Sequence, residues 1–229
     1  MSLQHVRAVR IPPGTGGVLI VFLLVFLAAC SDASASATAT PVSWGMARDE
    51  ASTLFELVSQ ESEARFFIGE ILRGEPTTVV GKTNQVHGEI AFDPANPAST
   101  AIGPIQVDTR TLLTDNDFRN RAIATRILLS QVYQYITFVP TGISGLPDTV
   151  TPGETATFEI TGDLTIVEST QPVVFDVEAA VVSDSRIEGS ASTTIQRSDF
   201  DLFIPSATGV AGVEETVVLE IDFVATAVD

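Results

Sequence analysis

Apolar and polar side chains alternate along most of the chain beyond residue 60, as they do in β-strands buried on one face. In the stretch TFEITGDLTI, Phe158 and Ile160 fall on one face and Glu159 falls on the other. The stretch TVVLEIDFVA repeats the pattern, with Leu219 opposite Glu220. The alternation predicts eight strands, at about 63–72, 85–92, 104–110, 134–140, 157–166, 171–182, 185–195 and 216–225.

One segment, DFRNRAIATRILLSQV, has a different period. Its apolar residues recur at helical spacing, which predicts a short amphipathic helix at about 118–129. They are Phe118, Ile123, Ile127 and Leu128. Eight antiparallel strands with one apolar face each fit a closed up-and-down barrel or a two-sheet sandwich. The lumen of such a barrel is either filled by side chains or holds one small ligand, and periodicity is consistent with both.

The N-terminal segment has the features of a bacterial lipoprotein signal. Arg7 and Arg10 give it a positive start, and residues 18–29 are wholly apolar. This run is too short for the roughly 20 residues of a bilayer span. It ends in Leu-Ala-Ala-Cys, which matches a lipobox whose cysteine, Cys30, is diacylated. Two acyl chains make a stable anchor, which one would not. An ordinary secretory signal and a transmembrane anchor are the alternatives.

Ser, Ala and Thr dominate the residues after Cys30, a composition typical of a flexible tether. The predicted organisation is a signal peptide at 1–29, the lipidated cysteine and linker at 30–50, and a folded domain at 51–229. Because Cys30 is the only cysteine, no disulfide can form within the chain. We expect the protein in the cell envelope, lipid-anchored outside the cytoplasmic membrane, on the periplasmic or the cell-surface side.

The charge balance is strongly acidic, with 12 Lys and Arg against 29 Asp and Glu. Removal of Arg7 and Arg10 with the signal leaves 10 basic against 29 acidic residues, a formal charge of −19. Such a surface repels phosphate backbones and anionic lipid headgroups, so we expect no nucleic-acid partner. Membrane attachment would then depend on the lipid.

Residues that could form a catalytic or metal site are scarce. The mature chain has one histidine, His87, on the polar face of a predicted strand. The acids of the TDND stretch at 114–117 suit the N-terminal cap of the predicted helix better than a calcium site. Arg119 and Asn120 would either tie this helix to the barrel rim or meet a ligand headgroup. We expect no enzyme activity, no cofactor and no metal.

Six stretches, in order along residues 60–228, resemble the YceI-like family of lipocalin-like, polyisoprenoid-binding proteins. The departures from the family pattern are Asn120 in place of Asp, Gln134 in place of Pro and Asp201 in place of Gly. The six stretches are SEARFFIGEIL, VHGEIAFDPANP, TLLTDNDFRNRAI, YQYITF, GDLTIVESTQPVVFDV and IQRSDFDLFIP.

The resemblance implies an all-β, eight-stranded antiparallel barrel with one short helix, which encloses a hydrophobic tunnel. The implied ligand is an isoprenoid or another long-chain lipid, which the protein would carry or sequester. The helix would cover one end, with Phe118, Leu128 and Tyr133 near the mouth. The predicted tunnel lining consists of Phe92, Ile105, Val107, Phe138, Phe158, Ile160, Phe175, Ile195, Leu219 and Phe223.

Two alternatives remain open from the sequence. The barrel could be packed solid and serve as a surface structural or protein-interaction module without a ligand. The domain could instead be an enzyme that acts on a lipid in its tunnel, which would need inward polar residues that the alternation does not show. The barrel surface is also compatible with a homodimer.

Overall fold

A computed structural model describes residues 50–228. The predicted signal peptide at 1–29, Cys30 and the linker up to residue 49 lie outside the described residues. Within the described range the chain forms a single 13-stranded sheet. Its strands are β1 (Thr53–Leu57), β2 (Glu63–Leu72), β3 (Glu75–Thr83), β4 (Val86–His87), β5 (Glu89–Phe92), β6 (Ala101–Ile102), β7 (Ile105–Asp108), β8 (Tyr135–Ser144), β9 (Thr155–Ile166), β10 (Ser169–Ser183), β11 (Arg186–Gln196), β12 (Val210–Ala211) and β13 (Thr216–Ala227).

The pairing of these strands closes on itself and makes a barrel. Strands β7, β8, β9, β10, β11 and β13 are antiparallel neighbours in that order. The far end of β13 pairs with β1, and β1 pairs with β5. Strand β5 continues β4 across Gly88, and β4 pairs with β7, where Val86 faces Val107. The wall therefore returns to the strand from which it started.

The β2–β3 hairpin extends the wall along the other half of β13. Strand β2 pairs with the first half of β13, and β3 pairs with β2. A bridge between Lys82 and Leu113 joins β3 to the segment that precedes the helix. Short 3-10 turns complete the connections, at Ser59–Glu61, Pro97–Ser99, Thr109–Thr111 and Arg197–Phe200.

The predicted helix is present, but its second half is a π-helix. An α-helix at Asp117–Ala122 (α1) continues into a π-helical turn at Ile123–Ile127. The Asn116 side chain caps α1, because its Oδ1 accepts the amide protons of Phe118 and Arg119. The amide of Leu128 donates to the carbonyl of Ile123, five residues earlier, at 2.8 Å. This spacing puts both apolar side chains on the face that packs on the barrel.

All eight predicted strands occur, although the count of eight is too low. The strand predicted at 85–92 is divided at Gly88 into β4 and β5. Strands β1, β3, β6 and β12 were not predicted from the pattern. The buried residues of β3 are Val79, Gly81 and Thr83. Only Val79 is large and apolar, so the strand has no recognisable alternation. Strands β6 and β12 have two residues each, too few to show a period.

The helix closes one end of the barrel. Ile123 and Leu128 belong to the main core cluster together with Leu164 and Phe200. Tyr133 follows the helix, and its hydroxyl donates to Glu168 in the β9–β10 turn, so this turn lies at the same end. The loop between β8 and β9, residues 145–154, lies at the opposite end. No helix within residues 50–228 is long and apolar enough to cross a membrane.

Candidate ligand-binding cavity

An apolar cavity of about 130 Å³ lies inside the barrel toward the end opposite the helix. We call it the outer chamber. Among the described residues that line it, Thr100 is the only one with a polar side chain. The side chains of β9 lose their exposure along the strand, from half-exposed Ala156 and Phe158 to buried Ile160. The chamber therefore lies nearest the surface at its 156 end. Its lining includes Leu57, Ile90, Phe92, Leu146, Val150 and Phe158.

A smaller cavity of about 80 Å³, the inner chamber, lies between the outer chamber and the helix-covered end. Its lining includes Ala64, Phe66, Val107, Leu112, Leu164 and Leu219. Four residues line both chambers: Ile105, Phe138, Phe175 and Ile221. The Phe138 and Phe175 rings are in edge contact, with centroids 4.9 Å apart and planes inclined by 63°. The lumen is thus divided at this pair.

Nine of the ten predicted lining residues lie in the wall of one chamber or both. Val107 and Leu219 line the inner chamber. Ile195 is buried in the core cluster and lines neither chamber among the described cavities. Contact between the predicted lining residues and a ligand stays a prediction. The predicted residues that line the outer chamber are Phe92, Ile105, Phe138, Phe158, Ile160, Phe175 and Phe223.

The three residues predicted at the tunnel mouth lie away from both chambers. Phe118 is 85% exposed on α1, and Leu128 is 7% exposed within the core. The Tyr133 hydroxyl donates to Glu168, and this hydrogen bond raises the pKa of the tyrosine. The helix end is filled by side chains, so the outer chamber approaches the surface at the other end, near Leu146 and Val150.

The prediction missed several residues that line the outer chamber. Val177 and Ala179 continue the alternation that starts at Phe175 on β10, so the same pattern could have identified them. Leu57 lies at the end of a strand that was not predicted. Leu146 and Val150 lie in a loop, where no periodicity marks the inward side.

Inward glycines make room for the large side chains of the lumen. A methyl group at residue 162 would lie 2.6 Å from the Cε2 and Cζ atoms of Phe138. At residue 189 it would lie 2.7 Å from Cζ of Phe223, which is the residue opposite Gly189 in the β11–β13 pair. A ring that lies over a glycine on the neighbouring strand covers backbone that would otherwise be open. These contacts fix the rings against the wall.

Arg119 and Asn120, at the helix-covered end, each bond to a neighbouring polar group. Arg119 of α1 donates to Glu70 of β2 at 3.0 Å and to Asp115 at 2.5 Å. The Asn120 Oδ1 accepts the Thr114 amide and hydroxyl at 2.7 Å. Arg119 therefore ties the helix to β2, which is the structural role considered for it from the sequence. Asn120 instead joins the helix to Thr114, in the segment that precedes it.

Asp108 is a buried carboxylate at the same end, where β7 meets the following turn. It accepts hydrogen bonds from the Arg110 amide at 2.9 Å, the Arg110 guanidinium at 2.6 Å and Gln134 at 3.3 Å. Burial alone would raise the pKa of Asp108, but the hydrogen bonds and charge of Arg110 outweigh it and lower the pKa below its ordinary value.

Polar groups suited to catalysis or metal binding do not converge on the outer chamber. The inner chamber has Arg65 and Glu220 in its lining, and these two side chains form an ion pair at 3.3 Å. His87 is half-buried on the outer side, where its Nδ1 lies 3.5 Å from the Ser59 hydroxyl. In the part of the chain that the structure describes, no group of three or more His, Cys, Asp or Glu side chains is arranged to hold a metal ion. The outer chamber can therefore offer a ligand an apolar surface and little else.

Several solved structures have a fold similar to that of this barrel. Burkholderia cenocepacia BcnA matches with a TM-score of 0.57 at 21% identity, over 74% of this chain and 99% of that chain. A polyisoprenoid binding domain from Saccharophagus degradans matches with a TM-score of 0.57 at 14% identity, over 76% of this chain and 98% of that chain. The Campylobacter jejuni YCEI protein matches with a TM-score of 0.50 at 21% identity, over 65% and 84%. At such identities the likeness is one of fold.

The sequence matches give the family. A UPF0312 protein of Vibrio cholerae serotype O1 (strain M66-2) is 27% identical over 142 residues, which are 59% of this chain and 71% of the relative. The family profile of the YceI-like domain matches residues 55–225, from within β1 to within β13. This match spans most of the chain and includes residues of every strand of the barrel wall, so the chain belongs to the YceI-like family.

Proposed function

We propose that this protein is a lipid-binding barrel that carries or sequesters a long-chain, isoprenoid-type amphiphile, tethered outside the cytoplasmic membrane by an acylated Cys30. The observation that carries the proposal is the outer chamber, whose described lining has one polar side chain, Thr100. An apolar chain gains about 0.8 kcal/mol for each methylene buried in such a site. A polar headgroup would stay at the half-exposed end.

The comparisons support the ligand class. The Saccharophagus degradans neighbour is a polyisoprenoid binding domain, and its barrel has the same fold. Binding without catalysis agrees with the lining of the outer chamber, which has no histidine, acid or cysteine among the described residues. Acid–base or nucleophilic chemistry needs such groups within hydrogen-bond reach of the substrate.

A packed barrel without a ligand is the second candidate, and the cavity volumes favour it. The two chambers hold about 130 and 80 Å³, whereas pockets for drug-sized ligands have roughly 300–1,000 Å³. A long chain would therefore have to widen the lumen as it enters. Without that movement, the barrel would be a structural or protein-contact module.

The deciding experiment is organic extraction and mass spectrometry of the purified full chain. A stoichiometric polyprenyl or similar long-chain species would support the carrier function. An Ala179→Phe substitution fills the outer chamber from β10 and should lower the lipid content, because Ala179 lines that chamber. Val174→Phe on the outward face of the same strand is the matched control. Absence of lipid from the wild type, with no displacement of a fluorescent apolar probe by prenols, would favour the packed barrel.

A further inference from the structure

The two chambers lie end to end along the barrel, and the residues common to both linings mark the boundary between them. Phe138 comes from β8 and Phe175 from β10, which are separated by β9. Their rings nevertheless meet in the lumen in edge contact. Phe138 is paired with Leu164 of β9, and its ring lies over Gly162, two residues earlier on that strand. A side chain at residue 162 would occupy the position of the ring.

Both rings are held in place. Phe138 is 8% exposed and Phe175 is 6% exposed. Edge contact at a centroid separation of 4.9 Å is a favoured arrangement for two aromatic rings. Ile105 and Ile221 contribute to the same boundary from β7 and β13. The inner end of the outer chamber is thus closed by four large side chains from four strands.

The position of this boundary limits the length of chain that fits without rearrangement. Along β10, the outer chamber extends from Phe175 to Val181. Those seven residues are six steps along the strand, which correspond to about 20 Å at the usual rise. For strands tilted by about 40° to the barrel axis, the depth is about 15 Å. Beyond the boundary the inner chamber offers further apolar space, lined by Leu164 and Leu219.

We infer that the Phe138–Phe175 pair sets the chain length of the ligand, because it closes the outer chamber and must rotate aside before a longer chain can enter the inner chamber. The inference rests on the proposed lipid-binding function and deepens it. It assigns length selection to two named rings, in contrast to the other apolar residues of the outer chamber, which provide surface area only.

The test is the chain-length dependence of binding to the purified full chain. Saturated linear alcohols from octanol to eicosanol would compete with Nile red in the wild type, Phe138→Leu and Phe175→Leu. While each added methylene is buried, affinity should rise about fourfold. The affinity should reach a plateau at the chain length that fills the outer chamber. In the two leucine variants, the plateau should move to longer alcohols, because the smaller side chain opens the way to the inner chamber.

Two further variants separate length selection from a general loss of packing. Phe158 lines the outer chamber but not the inner one, so Phe158→Leu should leave the plateau length unchanged. Ala64 lines the inner chamber only, so Ala64→Val combined with Phe175→Leu should move the plateau back toward the wild-type length. Circular dichroism would verify that each variant is folded.

The outcomes distinguish the inference from the function on which it rests. A longer plateau in the Phe138 and Phe175 variants, and not in Phe158→Leu, would support the inference. The same plateau in all variants, with the wild type binding the alcohols, would overturn it and leave lipid binding intact. If the wild type displaced Nile red with no alcohol of any length, the proposed function would fail as well.

Discussion

The ring of Phe138 occupies the space that a side chain at residue 162 would fill, although the two residues lie on neighbouring strands and 24 positions apart. The carbonyl oxygen of Val139 lies equally close, 2.5 Å from a methyl group placed at residue 162. One contact could be relieved by a movement of the ring, but the other involves the backbone of β8. The glycine is therefore required by the packing of the lumen.

We predict that Gly162→Ala destabilises the protein by about 1–3 kcal/mol, the usual cost of overpacking a close-packed interior. Urea unfolding at neutral pH would measure the change. The matched control is Gly142→Ala, because Gly142 lies on the adjacent strand β8 and a methyl group there would meet nothing within 4 Å. That variant should be neutral or slightly more stable than the wild type. Equal effects of the two substitutions would contradict the assigned role of Gly162.

The ion pair between Arg119 and Glu70 joins α1 to the barrel wall. The Glu70 side chain is 7% exposed, and Arg119 is 21% exposed. We predict that Arg119→Met lowers the free energy of unfolding by about 2 kcal/mol or more, because removal of one partner leaves a buried carboxylate without its counter-charge. Urea unfolding would again report the change.

The control for this pair is Arg121→Met, because Arg121 is exposed on the same helix and forms no ion pair within residues 50–228. Adding Glu70→Gln to Arg119→Met should recover part of the loss, since the buried charge is then gone. An Arg119→Met variant as stable as Arg121→Met would show that the ion pair contributes little.

The lowered pKa of Asp108 makes a defined contribution to stability. A carboxyl group with a folded-state pKa below its ordinary value of 3.8 stabilises the fold above that value. This contribution is lost as the pH falls through the folded-state pKa. We predict that Asp108→Asn costs about 1–3 kcal/mol at neutral pH, because the buried side chain loses its charge and keeps only one oxygen to accept the hydrogen bonds of Arg110 and Gln134.

The charge of Asp108 can be tested by the pH dependence of the difference in unfolding free energy between the wild type and Asp108→Asn. Between about pH 5 and pH 8, the gap in unfolding free energy between wild type and Asp108→Asn should stay constant, and it should narrow below about pH 4. Asp184→Asn, in the exposed β10–β11 turn, is the control and should track the wild type. A gap that is unchanged at about pH 3 would exclude charge as the origin of the stabilisation.

The sequence predicted the strands whose large apolar residues alternate, and it missed those whose inward positions are small. Phe158, Ile160 and Leu164 mark β9 clearly, whereas Thr83 and Gly81 conceal the inward face of β3. Gly162 lies between Ile160 and Leu164 on the inward face of β9, so in the sequence it interrupts the series of large apolar residues. Its function in packing depends on Phe138, which no local period connects to it.

The end of the barrel at which the outer chamber approaches the surface could not be predicted from the sequence, for a related reason. The helix covers one end of the barrel, as expected from the resemblance, and its π-turn brings Ile123 and Leu128 onto the face that packs there. The residues at the other end of the outer chamber include Leu146 and Val150, which lie in a loop without periodicity. Their inward placement follows from tertiary packing alone.

The proposed membrane tether is tested by Cys30→Ser. Two acyl chains on Cys30 would hold the protein stably on a membrane. The chain has 29 acidic against 12 basic residues, so electrostatic attraction to anionic lipids should not replace them. We predict that the wild type incorporates an alkyne-tagged fatty acid during growth and sediments with membranes. Cys30→Ser should lose the label and, if its signal is still cut, be released in soluble form. Ser31→Ala, next to the proposed acylation site, should behave as the wild type. An unlabelled wild type, or a labelled Cys30→Ser variant, would refute acylation at this cysteine.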